Sequence, residues 1–140
     1  MHIVIAQDHA GFAAHALVRH VAESLDNTVQ NLGCFDTNRV HYPRYAELAA
    51  QEVLRGRADC AILTCGTGIG MSMAANRHRG IRAAVCATTR AAALTRAHND
   101  ANVLCIGARI STQKELEQII HTFLITGFEG GRHQERLEMF

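Results

Sequence analysis

The chain has 140 residues, 48% hydrophobic and 19% charged, and a net charge of +1 with neutral histidines. That length and balance predict one globular domain with a true hydrophobic core and exclude a disordered chain. A charge so near zero supplies no global field for nucleic acid or an acidic membrane, although basic residues gather at Arg77, His78, Arg79 and Arg82, and again at Arg132, His133 and Arg136.

Apolar runs alternate with helical patterns along the whole chain. His2 to Ala6 reads as a first strand ended by Gln7-Asp8-His9, and 10–25 has helical spacing, with Phe12, Ala16, Leu17 and Val21 on one face. A second strand is expected over 28–32, then a loop over 33–40. The only proline, Pro43, sits at the start of a helix that runs to Leu54 and closes at Arg55-Gly56-Arg57. A third strand over 59–63 leads through a glycine-rich turn to a helix over 71–76. A fourth strand over 81–86, an alanine-rich helix over 88–97, a fifth strand over 102–106 and a helix over 111–124 follow, the last capped by Ser111 or Thr112. The segment 127–140 is glycine-punctuated and charged. Such alternation implies right-handed βαβ units: an α/β fold, one doubly wound (Rossmann-like) domain over 1–140, its five-stranded parallel sheet covered by helices on both faces.

The most informative stretch is Thr64-Cys65-Gly66-Thr67-Gly68-Ile69-Gly70-Met71. Alternate glycines let the backbone bend tightly and turn several N–H groups toward one point, and the helix that follows adds partial positive charge. A thiol placed there sits beside a hole for an oxyanion or phosphate. The bland reading of Cys65 is a small residue packing at a strand end. In open sheets ligands bind beyond the carboxyl ends of the strands, and the residues expected together on that edge are Asp8, His9, Cys65 with its turn, His98-Asn99-Asp100, and Gly107-Ala108-Arg109.

Each of these also has a structural reading. Asp8 suits a helix N-cap, His98-Asn99 a helix C-terminus, and Arg132 with Arg136 merely share a helical face. As chemistry, a histidine is a suitable general acid near neutrality, and two arginines four apart can clamp a phosphate. No dinucleotide fingerprint is present, since the turn lacks G-x-G-x-x-G spacing and no acidic residue ends the second strand. No Walker lysine lies near the turn, so no cofactor is expected. The histidines have no H-x-x-x-H spacing, so no metal is expected either. Five cysteines (Cys34, Cys60, Cys65, Cys86, Cys105) form no C-x-x-C pair, and no apolar run is long enough for a bilayer. With no signal peptide read before the first strand, a reduced cytoplasmic location is expected.

The motifs Asp8-His9-Ala10-Gly11-Phe12, Tyr42-Pro43-x-Tyr45-Ala46, Cys65-Gly66-Thr67-Gly68-Ile69-Gly70-Met71-Ser72, His98-Asn99-Asp100-Ala101-Asn102-Val103-Leu104, Gly107-Ala108-Arg109 and Phe128-Glu129-Gly130-Gly131-Arg132-His133 occur in this order. In that order the chain resembles the class B ribose-5-phosphate isomerases, in the wider family that includes galactose-6-phosphate isomerase subunits. The resemblance implies metal-independent aldose–ketose isomerisation of D-ribose 5-phosphate and D-ribulose 5-phosphate through an enediolate. It assigns the base to Cys65, proton shuttling between oxygens to Thr67 and ring opening to His98. It further implies an anion hole from the amides of Gly66, Gly68 and Gly70 with Asn99, sugar contacts from Asp8 and Tyr42, and phosphate contacts from His9, Arg109, Arg132 and Arg136. Homodimers, sometimes paired into tetramers, with active sites drawn from both subunits are also implied; residues 127–140 then form a tail reaching the partner.

Two positions depart from the family pattern. His41 stands where an aspartate usually precedes Tyr-Pro, and Ala87-Thr88 where many members have His-Asp. The first keeps another sugar phosphate open as substrate: allose 6-phosphate, galactose 6-phosphate or a four-carbon sugar phosphate. A third reading is a phosphosugar-binding module without catalysis, against which Cys65, Thr67 and His98 argue.

Overall fold

The computed structural model describes residues 1–139. Strands β1 (His2–Gln7), β2 (Thr28–Asn31), β3 (Cys60–Cys65), β4 (Ala83–Val85) and β5 (Val103–Gly107) form one parallel sheet in the order β2-β1-β3-β5-β4. The helices are α1 (His15–Glu23, preceded by a 3-10 turn over Phe12–Ala14), α2 (Tyr42–Leu54), α3 (Ile69–Ala75), α4 (Thr89–Asn99), α5 (Gln113–Ile125) and α6 (Arg132–Leu137). The doubly wound α/β domain expected from the alternation is therefore present.

Period-two alternation along each central strand sends side chains to two separate cores. On one face Ile3, Ile5, Ile62, Leu104 and Ile106 meet Val18 and Val21 of α1, Ala92 of α4, and Leu116, Ile119, Ile120 and Phe123 of α5. On the other, Val4, Ala6, Leu63, Cys65, Val103 and Cys105 meet Ala46, Ala49 and Ala50 of α2 and Met71 and Ala75 of α3. The alanines of α2 are fully buried, which lets that helix approach the sheet closely. Three strands buried on both faces read as unbroken apolar runs, as parallel sheets require.

Boundaries shift by a few residues from the sequence expectation. The first helix begins with a 3-10 turn, β3 continues through Cys65, and α4 reaches Asn99. Thr112 caps α5 in a full capping box: its hydroxyl accepts from the Glu115 N–H, and the Glu115 carboxylate accepts from the Thr112 N–H at 2.7 Å. The charged tail contains a helix, α6, folded back by Gly130 and Gly131, both at positive φ. Among the described residues no helix is long and apolar enough to cross a membrane.

Strand order fixes where a ligand can enter. From β1 the chain moves outward to β2, then crosses back to place β3 on the other side of β1. The crevice between the carboxyl ends of β1 and β3 is the switch point of the sheet. Asp8 follows β1 directly, and Cys65 ends β3.

Candidate functional site

At the switch point the turns after β1 and β3 are tied together. The Asp8 N–H donates to the Thr64 carbonyl at 3.2 Å, and a Cβ at Gly11 would lie 2.2 Å from that same oxygen. Only glycine permits such an approach. The Asp8 side chain is buried, and its Oδ1 accepts from the N–H groups of Ala10 at 2.9 Å and Gly11 at 3.0 Å. It caps this turn, not α1. Nδ1 of His9 accepts from the Val40 N–H at 3.3 Å, which leaves Nε2 as the protonated nitrogen of the neutral ring.

Cys65 is 5% exposed, and its Sγ accepts the Gly68 N–H at 3.1 Å. Gly68 has φ of 79°, and a Cβ there would stand 3.0 Å from the Ile106 backbone nitrogen. The glycine thus turns its amide toward the sulfur where another residue would be strained. A Cβ at Gly70 would lie 2.6 Å from the Tyr42 ring, so Tyr42 lies over the turn. The Arg109 N–H donates to the Gly66 carbonyl at 3.0 Å, with its side chain along Gly66. Thr67 is exposed at the outer lip, where Oγ1 accepts the Ile69 N–H at 3.3 Å.

The other thiols have no comparable setting. Burial pushes Cys60 and Cys86 up to about 11, lifts Cys105 well above its ordinary value, and raises Cys34. These are inert, protonated core residues. Cys65 shares their burial, and its sulfur accepts the Gly68 N–H at the end of β3.

His98, Asn99 and Asp100 were expected on this same edge, and the topology overturns that expectation. A helix between parallel strands returns antiparallel to them, so its carboxyl end lies at their amino ends. Ala61, four residues before Cys65 on β3, donates its N–H to the Asn102 carbonyl at 3.0 Å, just ahead of the neighbouring strand. Those four residues span about 13 Å of strand at about 3.3 Å per residue. The two halves of the expected site stand at opposite ends of one sheet.

The amino-edge half is itself organised. Asp100, in the left-handed conformation with φ of 43°, ends α4. Arg82 reaches it from the segment before β4, donating to its carboxylate and to its carbonyl, both at 2.8 Å, and to the Asn99 carbonyl at 3.2 Å. Arg96 donates to the other carboxylate oxygen at 3.0 Å and to the Ala101 carbonyl at 2.7 Å. The tail returns to this end: the Glu129 N–H donates to the Ala97 carbonyl at 3.0 Å, and His133 stacks on His98 with ring centroids 4.2 Å apart. Arg132 and Arg136, exposed on α6, flank the stack.

Glu129 and His133 were not singled out for chemistry from the sequence. They lie 31 and 35 residues from His98, and nothing local signals the contact. The ligand atoms of His98, Glu129 and His133 lie within 4.8 Å of one another, but their geometry does not fit a metal. An imidazole lone pair lies in its ring plane, and two stacked planes only 8° apart share no point near both nitrogens. A groove of about 600 Å³ between α1 and α5 carries no residue of either half.

A buried thiol that accepts an amide hydrogen bond thus stands at the switch point of a doubly wound α/β sheet. Residues 3–140 match the family described as Ribose/Galactose Isomerase, and the chain belongs to it. The chain is 42% identical over 137 residues to ribose-5-phosphate isomerase B of Escherichia coli, covering 97% of this chain and 91% of that one. The type B ribose 5-phosphate isomerase of Trypanosoma brucei superposes with a TM-score of 0.96 at 43% identity, over 99% of this chain and 95% of that chain. The enzyme of Thermotoga maritima does so at 0.95 and 43%, with the same coverage. The chain is accordingly an aldose–ketose isomerase.

Proposed function

We propose that the protein interconverts D-ribose 5-phosphate and D-ribulose 5-phosphate, with Cys65 as the base. The observation that carries this reading is the 3.1 Å hydrogen bond from the Gly68 N–H to the Cys65 sulfur, inside the glycine-rich turn that opens α3. The Cys65 thiolate takes the proton from carbon 2, and the C–H electron pair moves to form the carbon 1–carbon 2 double bond as the carbonyl oxygen becomes an oxyanion. Amides of Gly66, Gly68 and Gly70 stabilise the enediolate, each such donor being worth about 3 kcal/mol. Thr67 moves the hydroxyl proton between the two oxygens, and the thiol returns its proton to carbon 1. No electron leaves the substrate, so no redox cofactor is needed.

His98 opens the furanose ring, Asn99 adds a donor to the hole, Asp8 and Tyr42 face the sugar, and His9, Arg109, Arg132 and Arg136 hold the phosphate. Because one chain sets Cys65 and His98 at opposite sheet ends, we assign the His98 half to a second copy in a homodimer. Its tail, residues 127–140, then brings Arg132 and Arg136 to the partner's turn. Ile69 and Met73, one turn apart on α3 beside the site, are 48% and 66% exposed and suit the contact between copies. Tetramers arise by pairing of such dimers. Five free thiols suit a reducing compartment such as the cytoplasm.

A second substrate reading rests on His41, exposed at the start of α2 beside Tyr42, whose ring covers Gly70. An imidazole there, in place of a carboxylate, suits allose 6-phosphate, galactose 6-phosphate or a four-carbon sugar phosphate. Purified protein assayed on ribose 5-phosphate beside these sugars decides: efficient turnover of a hexose phosphate with trace turnover of the pentose overturns the leading assignment.

A further inference from the structure

The His98–His133–Glu129 cluster has a feature that the isomerase reading leaves unused. The two imidazoles stack with ring centroids 4.2 Å apart and planes 8° apart. One Glu129 carboxylate oxygen stands 3.9 Å from Nε2 of His98 and 3.6 Å from Nε2 of His133. One carboxylate serves both rings, and two cations at that separation repel each other. A single proton on the pair avoids setting two cations face to face beside one carboxylate.

The environment decides which ring carries it. The His133 side chain is 7% exposed against 37% for His98. Burial disfavours the charged form, and His98, Arg132 and Arg136 repel a charge on His133 more than Glu129 attracts it, so His133 stays below its ordinary value. Facing His98 are Glu129 from the returning segment and His133 from α6, which also carries Arg132 and Arg136. The charges of its own last turn, Arg96 and Asp100, pair with each other. Gly130 and Gly131 at positive φ, with the Glu129 N–H bound to Ala97, fix this arrangement on the backbone.

We propose that Glu129 and His133 are positioning residues for His98: the carboxylate draws the single proton of the cluster onto His98, and the buried ring stacked on it fixes the plane in which that proton is presented. This rests on the reading of His98 as the ring-opening acid. A proton held on the more exposed ring is available to a sugar oxygen. The same proton on His133 is not.

The test is an NMR titration of the imidazole signals in the intact protein, with His98 assigned from their loss in His98→Asn. In the wild type His98 takes up its proton before His133 as the pH falls. Glu129→Gln lowers the His98 midpoint by roughly half a pH unit or more, and the pH–rate profile of the enzyme moves with it while KM for the sugar phosphate stays near its starting value. His133→Phe, which keeps a stacking ring without a titrating group, retains more turnover than His133→Ala. An unmoved His98 midpoint in folded Glu129→Gln, or protonation of His133 first, overturns the proposal. Should the wild type turn over no sugar phosphate, the isomerase reading fails while the midpoints still report on the cluster; an active enzyme with unmoved midpoints refutes this inference alone.

Discussion

Cys65 and His98 belong to opposite ends of one pair of strands: Cys65 is level with Gly107 at the end of β5, whereas His98 lies five residues before β5 begins. If both act on one sugar, they come from two chains. Mixing inactive Cys65→Ala with inactive His98→Asn subunits and re-forming the dimers should restore roughly a quarter of wild-type activity, since half the dimers are hybrids carrying one intact site of two. Placing both substitutions in one chain and mixing it with wild type creates no such rescue. Absence of recovery in the first mixture argues for a site within one chain.

Removal of the thiol isolates the chemical step. Cys65→Ala should lower kcat by about a hundred- to ten-thousandfold, the usual range for a lost general base. Deuterium from solvent should no longer enter carbon 2, while phosphate binding persists. A variant that keeps most of its exchange places the base elsewhere.

Phosphate contacts act on ground and transition states alike. Arg136→Ala should therefore raise KM and leave kcat close to its original value. Steady-state kinetics check this: a fall in kcat at unchanged KM assigns Arg136 to the transition state.

Gly68 is confined by its φ of 79° and by the Ile106 backbone 3.0 Å from where a Cβ would stand. Gly68→Ala should cost about 1–2 kcal/mol from left-handed strain alone, and more from the contact. Denaturant midpoints measure the first effect, and loss of turnover reports misdirection of the amide that faces Cys65.

His133 also gives the fold a pH dependence. Its folded value lies below the ordinary 6.5, chiefly through burial. The unfolded chain then binds the proton more readily, so stability is full above about 6.5 and declines as the pH falls through that value toward the folded one. His133→Phe should flatten this limb in melting temperatures taken between neutral and mildly acidic pH. An identical limb in the variant assigns the acid sensitivity to other groups.

Local rules carried much of this molecule. Alternating apolar runs and helical spacing marked all five strands and five of the six helices, because both periodicities are written residue by residue. The turn after β3 was legible for the same reason: glycines at alternate positions beside a cysteine state a backbone conformation directly. The cap of the last long helix was narrowed to Ser111 or Thr112, and the structure gives it to Thr112. Even α6 was foreshadowed only as a charged tail, since Arg132–Leu137 is too short to show a period.

Placement across the sheet was a different matter. Whether His98 reaches Cys65 depends on the direction in which α4 returns, and whether Glu129 and His133 reach His98 depends on the fold-back at Gly130 and Gly131. By itself the sequence determined the elements, the two-sided core and the glycine turn beside Cys65, through interactions between near neighbours. Tertiary structure alone decided that the thiol and the histidine stand at opposite sheet edges and that three distant side chains share one proton's surroundings. Those contacts join residues tens of positions apart, and chain geometry in three dimensions, not local spacing, brings them together.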